Sequence, residues 1–170
     1  PMPAIHGRIC PHPCETGCNR KDKEDGAVSI NNMERFVGDH GLSKNLKLKM
    51  LTEKKSGKKI AVIGSGPAGM SCAYQLVRRG HGVTVFEAFE KTGGMLRYGI
   101  PSYRLNDEVL DGEYQKIIDL GVEVKCNTRV GRDISYDDLR SQFDAVFVAI
   151  GAHKGSEMKL EGEDSANVFT

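Results

Sequence analysis

The chain has 170 residues, 39% of them hydrophobic and 28% charged, with a formal net charge of +1. That mixture describes a folded chain with one ordinary core, or one domain and an appendage, and not a disordered one. The balanced charge gives no global attraction to nucleic acid, and the longest strictly apolar run, Ala145–Ile150, is far short of the roughly 20 residues a membrane helix needs.

The opening PMPAIHGRIC lacks the basic end and apolar stretch of a signal peptide, so the cytoplasm is the expected location. Residues 1 to about 26 mix Pro, Gly, Cys and charge without a period, which predicts loop. Within them Cys10, Cys14 and Cys18 recur every four residues in GRICPHPCETGCNR. Five cysteines, an odd number, in a reducing compartment read as metal ligands or core residues rather than disulfides. Thiolates this dense, in a chain bent by Pro and Gly, suit an iron–sulfur cluster, although three cannot complete a four-cysteine site. A zinc site with His12 as fourth ligand is a second reading, with unusual spacing, and three unligated thiols a third. Cys72 and Cys126 stand apart and read as packing residues.

Residues 28–42 predict a helix, with Ser29 as N-cap and Ile30, Met33, Phe36 and Val37 on one face. From Lys44 to Lys59 seven lysines face one acid, Glu53, and no arginine or aromatic residue interleaves them. This stretch reads as an exposed linker rather than a phosphate-binding patch.

From Lys59 onward strands and helices alternate. Strands are expected at Ile60–Ile63, Val83–Phe86, Val122–Lys125 and Ala145–Ile150. Helices are expected from the turn after Ile63 to about Arg79, from Asn106 to Gly121, and over Tyr136–Gln142. Val109, Leu110, Tyr114, Ile117 and Ile118 make the buried stripe of the middle helix, and Gly93–Tyr103 is a loop. Such alternation predicts an α/β fold with a parallel sheet.

The sharpest local signal is KIAVIGSGPAGMSCAYQL, where Gly64, Gly66 and Gly69 lie between a β-branched strand and a helix. Gly64 permits a tight turn, Gly66 lets a pyrophosphate approach the backbone, and Gly69 lets helix and strand pack closely. The helix N-terminus then offers N–H groups to the phosphates, and Pro67 sits where a missing N–H costs nothing. Glu87 follows 18 residues after Gly69, at the end of the second strand. An acid there accepts from ribose hydroxyls and repels a 2′-phosphate, which favours FAD or NAD over NADP at this turn. The turn alone does not separate those two.

GSGPAG, FEAFEKTGGMLRYGIPSYRL and DAVFVAIGA together resemble the FAD domain of the glutamate synthase small subunit, and the matching part of dihydropyrimidine dehydrogenase and related iron–sulfur flavoproteins. The resemblance covers nearly the whole chain. It implies a Rossmann-like FAD-binding domain over 59–170, a linker over 44–58 and a partial iron–sulfur segment, mainly helix and loop, over 1–43. It implies that Gly64, Ser65, Gly66, Pro67, Ala68 and Gly69 form the pyrophosphate turn and that Glu87 holds the ribose. It places Gly94 and Met95 near the flavin, has Arg104 contact FAD, brings the backbone of Val130 to the adenine end, and makes Gly151 the second FAD turn. Ile150 stands where the family usually has Thr, and Arg97 and Tyr103 are left between a site role and a surface or core-edge role.

Cys10, Cys14 and Cys18 match three ligands of a 4Fe-4S cluster whose fourth ligand the family takes from an upstream stretch that this sequence does not contain. The implied activity is electron flow from NAD(P)H through FAD to iron–sulfur clusters, with a partner oxidoreductase subunit or domain. The nicotinamide site is expected in the parent protein, because a second glycine-rich unit is missing here and the chain reads as part of a larger enzyme. An NAD-binding domain, or a non-catalytic nucleotide-binding or docking module, is the alternative. No catalytic residue is assigned, and the scattered histidines carry no such role.

Overall fold

The computed structural model describes residues 1–153, 155–157 and 159–168. β1 (Lys59–Ile63), β2 (Gly82–Phe86), β3 (Glu123–Lys125) and β4 (Ala145–Val148) form a parallel sheet in the order β3-β2-β1-β4. Between them run α4 (Pro67–Val77), α6 (Asp107–Ile118) and α7 (Tyr136–Gln142), with one helical turn, α5 (Met95–Tyr98), inside the stretch expected to be loop. The first crossovers build outward from β1 through β2 to β3. The chain then returns to the other side of β1, so a crevice opens where the direction reverses, the place where open α/β sheets bind ligands.

Strand periodicity decides what each face buries. Ile60, Val62, Val83 and Val85 meet Met70, Ala73 and Val77 of α4 and Leu110, Tyr114 and Ile117 of α6. Ala61, Ile63 and Phe86 point the other way, onto Leu139 of α7. β4 is the thin edge: Phe147 and Val148 remain 41% and 53% exposed, and among the described residues it pairs only with β1.

The first 26 residues depart from the loop expectation. They contain α1 (Pro3–Ile9) and α2 (Pro13–Thr16), each opened by a proline at the start of the helix. A seven-residue helix is not stable alone. α1 is held because Met2, Ala4 and Ile5 enter the same core as Leu110, Tyr114 and Ile117. Proline and glycine in this stretch hid a helix whose stability is tertiary.

α3 (Ile30–Ser43) forms where expected, but it buries a different face. Ile30, Met33, Phe36 and Val37 are 41%, 59%, 71% and 60% exposed, while Gly38 and Gly41 are buried. α1 crosses on the glycine side so closely that a Cβ on Gly38 would lie 2.2 Å from the Ala4 nitrogen, and one on Gly7 2.4 Å from the Arg35 Cα. Arg8 donates to Asp39 at 2.7 Å and the His6 ring meets Glu34 at 3.2 Å across the same crossing. Ser29 precedes the helix without a side-chain cap bond.

The lysine-rich connection keeps its lysines in solvent, but Leu48 packs against the core and the backbone of the stretch is attached. The Leu51 and Ser56 N–H groups donate to the carbonyls of Arg78 and Gly80, both at 2.9 Å. No helix among the described residues is long and apolar enough to cross a membrane.

Candidate dinucleotide site

A cavity of about 590 Å³ opens at the carboxyl ends of β1 and β2. Gly64, Ser65, Gly66, Pro67 and Ala68 form its floor, Glu87 and Val130 one flank, and Gly94, Met95 and Gly151 also line it.

The three glycines of the turn have three different reasons to be glycine. Gly64 has φ +102°, and a Cβ on it would lie 2.3 Å from the Ala149 carbonyl oxygen. Gly69 faces the strand, and a Cβ there would lie 1.9 Å from the Gly64 oxygen. Gly66 has an ordinary φ of −65°, and a Cβ on it would meet nothing within 4 Å. No protein atom requires its glycine; the space it leaves is the cavity.

Gly66 is also the N-cap of α4, and no side chain caps that helix. By contrast Asn106 accepts from the Val109 N–H at the start of α6, and Ser135 makes a reciprocal capping box with Asp138 on α7. The N-terminus of α4, with no side-chain acceptor, faces the cavity, where an anion would be stabilised by its N–H groups.

Glu87 is 4% exposed, and its carboxylate is held by three donors. Oε2 accepts from the Ser65 N–H at 2.9 Å and the Ser65 hydroxyl at 2.5 Å, and Oε1 accepts from the Phe89 N–H at 2.9 Å. Ser65 Oγ in turn accepts from the Gly93 N–H at 3.1 Å. The turn, the strand tip and the Gly93–Gly94 loop are thus one buried hydrogen-bonded unit.

Two predicted residues lie apart from the cavity lining. Gly69 packs helix on strand behind it. Arg104 is exposed, with its N–H donating to the Pro101 carbonyl at 2.9 Å. Arg97 and Tyr103 separate cleanly. The Arg97 side chain is 6% exposed, donates Nε to the Thr92 carbonyl at 2.6 Å, and pairs with Asp107 at 2.9 Å and with Asp111, so it fastens the 92–99 stretch to α6. Tyr103 is 91% exposed.

Sequence reasoning missed the aromatic flank of the cavity. Phe89 packs against His153 at 5.3 Å and Tyr98 at 4.8 Å between ring centroids, with the Arg129 guanidinium 6.0 Å from its own. Only the position of Phe89, two residues past the strand-end acid, could have signalled this.

In the N-terminal segment, the described residues contain no group of three or more His, Cys, Asp or Glu side chains gathered as metal ligands. Cys10, Cys14 and Cys18 are free thiols on successive turns of the chain around α2. Backbone N–H groups of Val28 and Arg20, with the Arg20 charge, hold the Cys18 thiol below its ordinary value against a smaller effect of burial. The His12 N–H lies 3.4 Å from the Cys10 sulfur. Cys72 and Cys126 behave in the opposite way: burial pushes both thiols up, with Glu87 adding to the rise at Cys126.

Two family models match the chain: dihydropyrimidine dehydrogenase domain II, 4Fe-4S cluster, over residues 1–46, and an NAD(P)-binding Rossmann-like domain over residues 62–122. The Glutamate synthase [NADPH] small chain of Escherichia coli is 41% identical over 170 residues, covering 99% of this chain. This chain resembles the glutamate synthase small chain over nearly its whole length. The NADPH-Fe(3+) oxidoreductase subunit beta of Geobacter sulfurreducens and the NADP(+)-dependent formate dehydrogenase subunit beta of Moorella thermoacetica are each 42% identical over 96% of it.

The glutamate synthase small chain-like sequence spans 36%, 25% and 26% of the length of these three relatives, so it corresponds to one portion of each. The names of all three carry NADPH or NADP(+), and each is named as a subunit or a small chain. Among solved structures, 2-naphthoyl-CoA reductase matches with a TM-score of 0.55 and 30% identity, over 81% of this chain and 19% of that one. FprA from Mycobacterium tuberculosis matches with a TM-score of 0.58 at 23% identity, over 63% of this chain and 25% of that one, and it supports the fold alone.

Proposed function

We propose that this chain supplies the FAD-binding turn and three cluster cysteines of an NAD(P)H oxidoreductase of the glutamate synthase small-chain kind. The observation that carries the reading is Gly66: a helix cap that packing does not require to be glycine, bordering a cavity and beside an N-terminus without a side-chain acceptor.

In this reading the N–H groups opening α4 hold the diphosphate, and Glu87 accepts from the adenosine ribose. Gly94 and Met95 border the flavin side, and the backbone at Val130 meets the adenine. The buried carboxylate also opposes a 2′-phosphate at this turn, so the flank suits FAD, and the nicotinamide donor binds elsewhere in the parent protein. Bound flavin supplies hydride acceptance and onward transfer of single electrons; the chain's part is to hold and orient it.

The donor set of the N-terminal segment fits a 4Fe-4S cluster in its chemistry. It offers three thiols, and the N–H groups of Val28 and Arg20 are directed at the Cys18 sulfur, the kind of hydrogen bond that tunes cluster potentials. Cys10, Cys14 and Cys18 would bind it, with a fourth ligand from outside these residues. A partner oxidoreductase subunit would take the electrons. A plain NAD-binding domain is the second reading, favoured by the description of the family model over residues 62–122.

The test is flavin content of the intact protein purified without oxygen. The native protein should carry flavin and cluster absorption, and Gly66→Val should lose the flavin while keeping its circular dichroism. A colourless native protein that binds NAD instead would establish the second reading.

A further inference from the structure

We propose that Ser65 is the positioning residue of the cavity: its buried hydroxyl sets how far the Gly93–Gly94 loop stands from the carboxylate of Glu87, and so sets the span a dinucleotide must bridge. The proposal deepens the FAD reading and rests on it.

The middle position of a G-x-G turn is free in the pattern, so nothing in the sequence singles Ser65 out. In the structure it is 0% exposed and uses every atom that can hydrogen-bond toward the site. Its hydroxyl proton goes to Glu87 Oε2 at 2.5 Å, its N–H to the same oxygen at 2.9 Å, and its Oγ accepts the Gly93 N–H at 3.1 Å. One side chain therefore connects the two cavity walls.

Two consequences follow from counting. An ionised carboxylate has about four acceptor positions. Ser65 and Phe89 take three of them on Glu87, so the acid has one left, on Oε1, and meets a single ribose hydroxyl. The second concerns the loop. Gly94 has φ +54°, and a Cβ on it would lie 2.9 Å from the Gly66 Cα, so loop and turn are in direct backbone contact. The bond from Gly93 to Ser65 holds that contact in register. Without the hydroxyl, a buried N–H loses its acceptor and the loop is free to slide, while Glu87 keeps two of its three donors.

The two walls make the role separable from general stability. ADP brings only the diphosphate and the adenosine to the α4 N-terminus and Glu87; FAD must also seat its flavin half along the wall that the Gly93–Gly94 loop sets. The intact protein, stripped of flavin, is titrated with each nucleotide by calorimetry. Ser65→Ala should weaken FAD by about tenfold or more, the scale of one lost charge-assisted hydrogen bond, and ADP by less than about threefold. Glu87→Gln should weaken both together.

Equal losses of FAD and ADP in Ser65→Ala, or no loss of either while Glu87→Gln weakens both, would overturn the positioning role. Unchanged binding of both nucleotides in Glu87→Gln would instead bring down the dinucleotide reading beneath it. Should the alanine variant not fold, Ser65→Cys keeps the volume with a weaker donor. A smaller loss confined to FAD supports the proposal, and parent-like affinity for both nucleotides overturns it.

Discussion

The α/β domain and the N-terminal segment use apolar residues in opposite ways. In α6 the stripe at helical spacing is buried, with Val109, Leu110, Tyr114 and Ile117 each 9% exposed or less. In α3 the comparable stripe faces solvent, and glycines make the buried contact. The difference follows from size. The sheet offers a broad apolar face that large side chains can fill. α1 has seven residues and too little surface for a core of its own, so it approaches α3 backbone to backbone and sends Met2 and Ile5 into the neighbouring core. Where a segment is small, glycine spacing predicts contact better than apolar spacing.

The largest expected effect breaks the crossing itself. Gly38→Val should cost about 3 kcal/mol or more in a denaturant melt, because the new side chain meets the backbone of Ala4 and Pro3, which cannot yield without moving α1. A loss below about 1 kcal/mol would show that the glycine contact is dispensable.

A smaller effect sharpens the joint between the two regions. Glu113 of α6 is 1% exposed, faces the Ala4 N–H, and has Lys116 Nζ at 3.2 Å from Oε1. Burial raises its pKa above the ordinary 4.5 and outweighs the opposing help from Lys116. A raised carboxyl pKa contributes stability that is full below the ordinary value and is lost as pH rises through the raised one. Glu113→Gln should therefore gain on the parent as pH climbs from about 4.5, read from thermal midpoints across pH. A stability difference that does not change with pH would place the carboxylate in water. The smallest effect is Phe36→Ser: at 71% exposed it should shift stability by no more than about 0.5 kcal/mol.

The parallel sheet and the glycine turn were legible because local pattern and tertiary role coincide there. Ile60–Ile63 alternates its faces as a strand must, and Gly64 and Gly69 stand where a Cβ would meet backbone, with Gly66 bordering the cavity between them. The helix at Pro3 was not legible, because its stability comes from tertiary contacts with α3 and with α6, the latter more than a hundred positions away. Nor was the part played by Ser65, which depends on Gly93 arriving from a loop that leaves no periodic trace. Arg97 stood open in sequence because its two aspartate partners belong to a different helix.

The placement of Met2 and Ile5 has a consequence for the order of events during synthesis. Their packing partners Leu110, Tyr114 and Ile117 leave the ribosome more than a hundred residues later. Until then α3 is the partner available to α1, and the packing of Met2 and Ile5 is completed once α6 has been made.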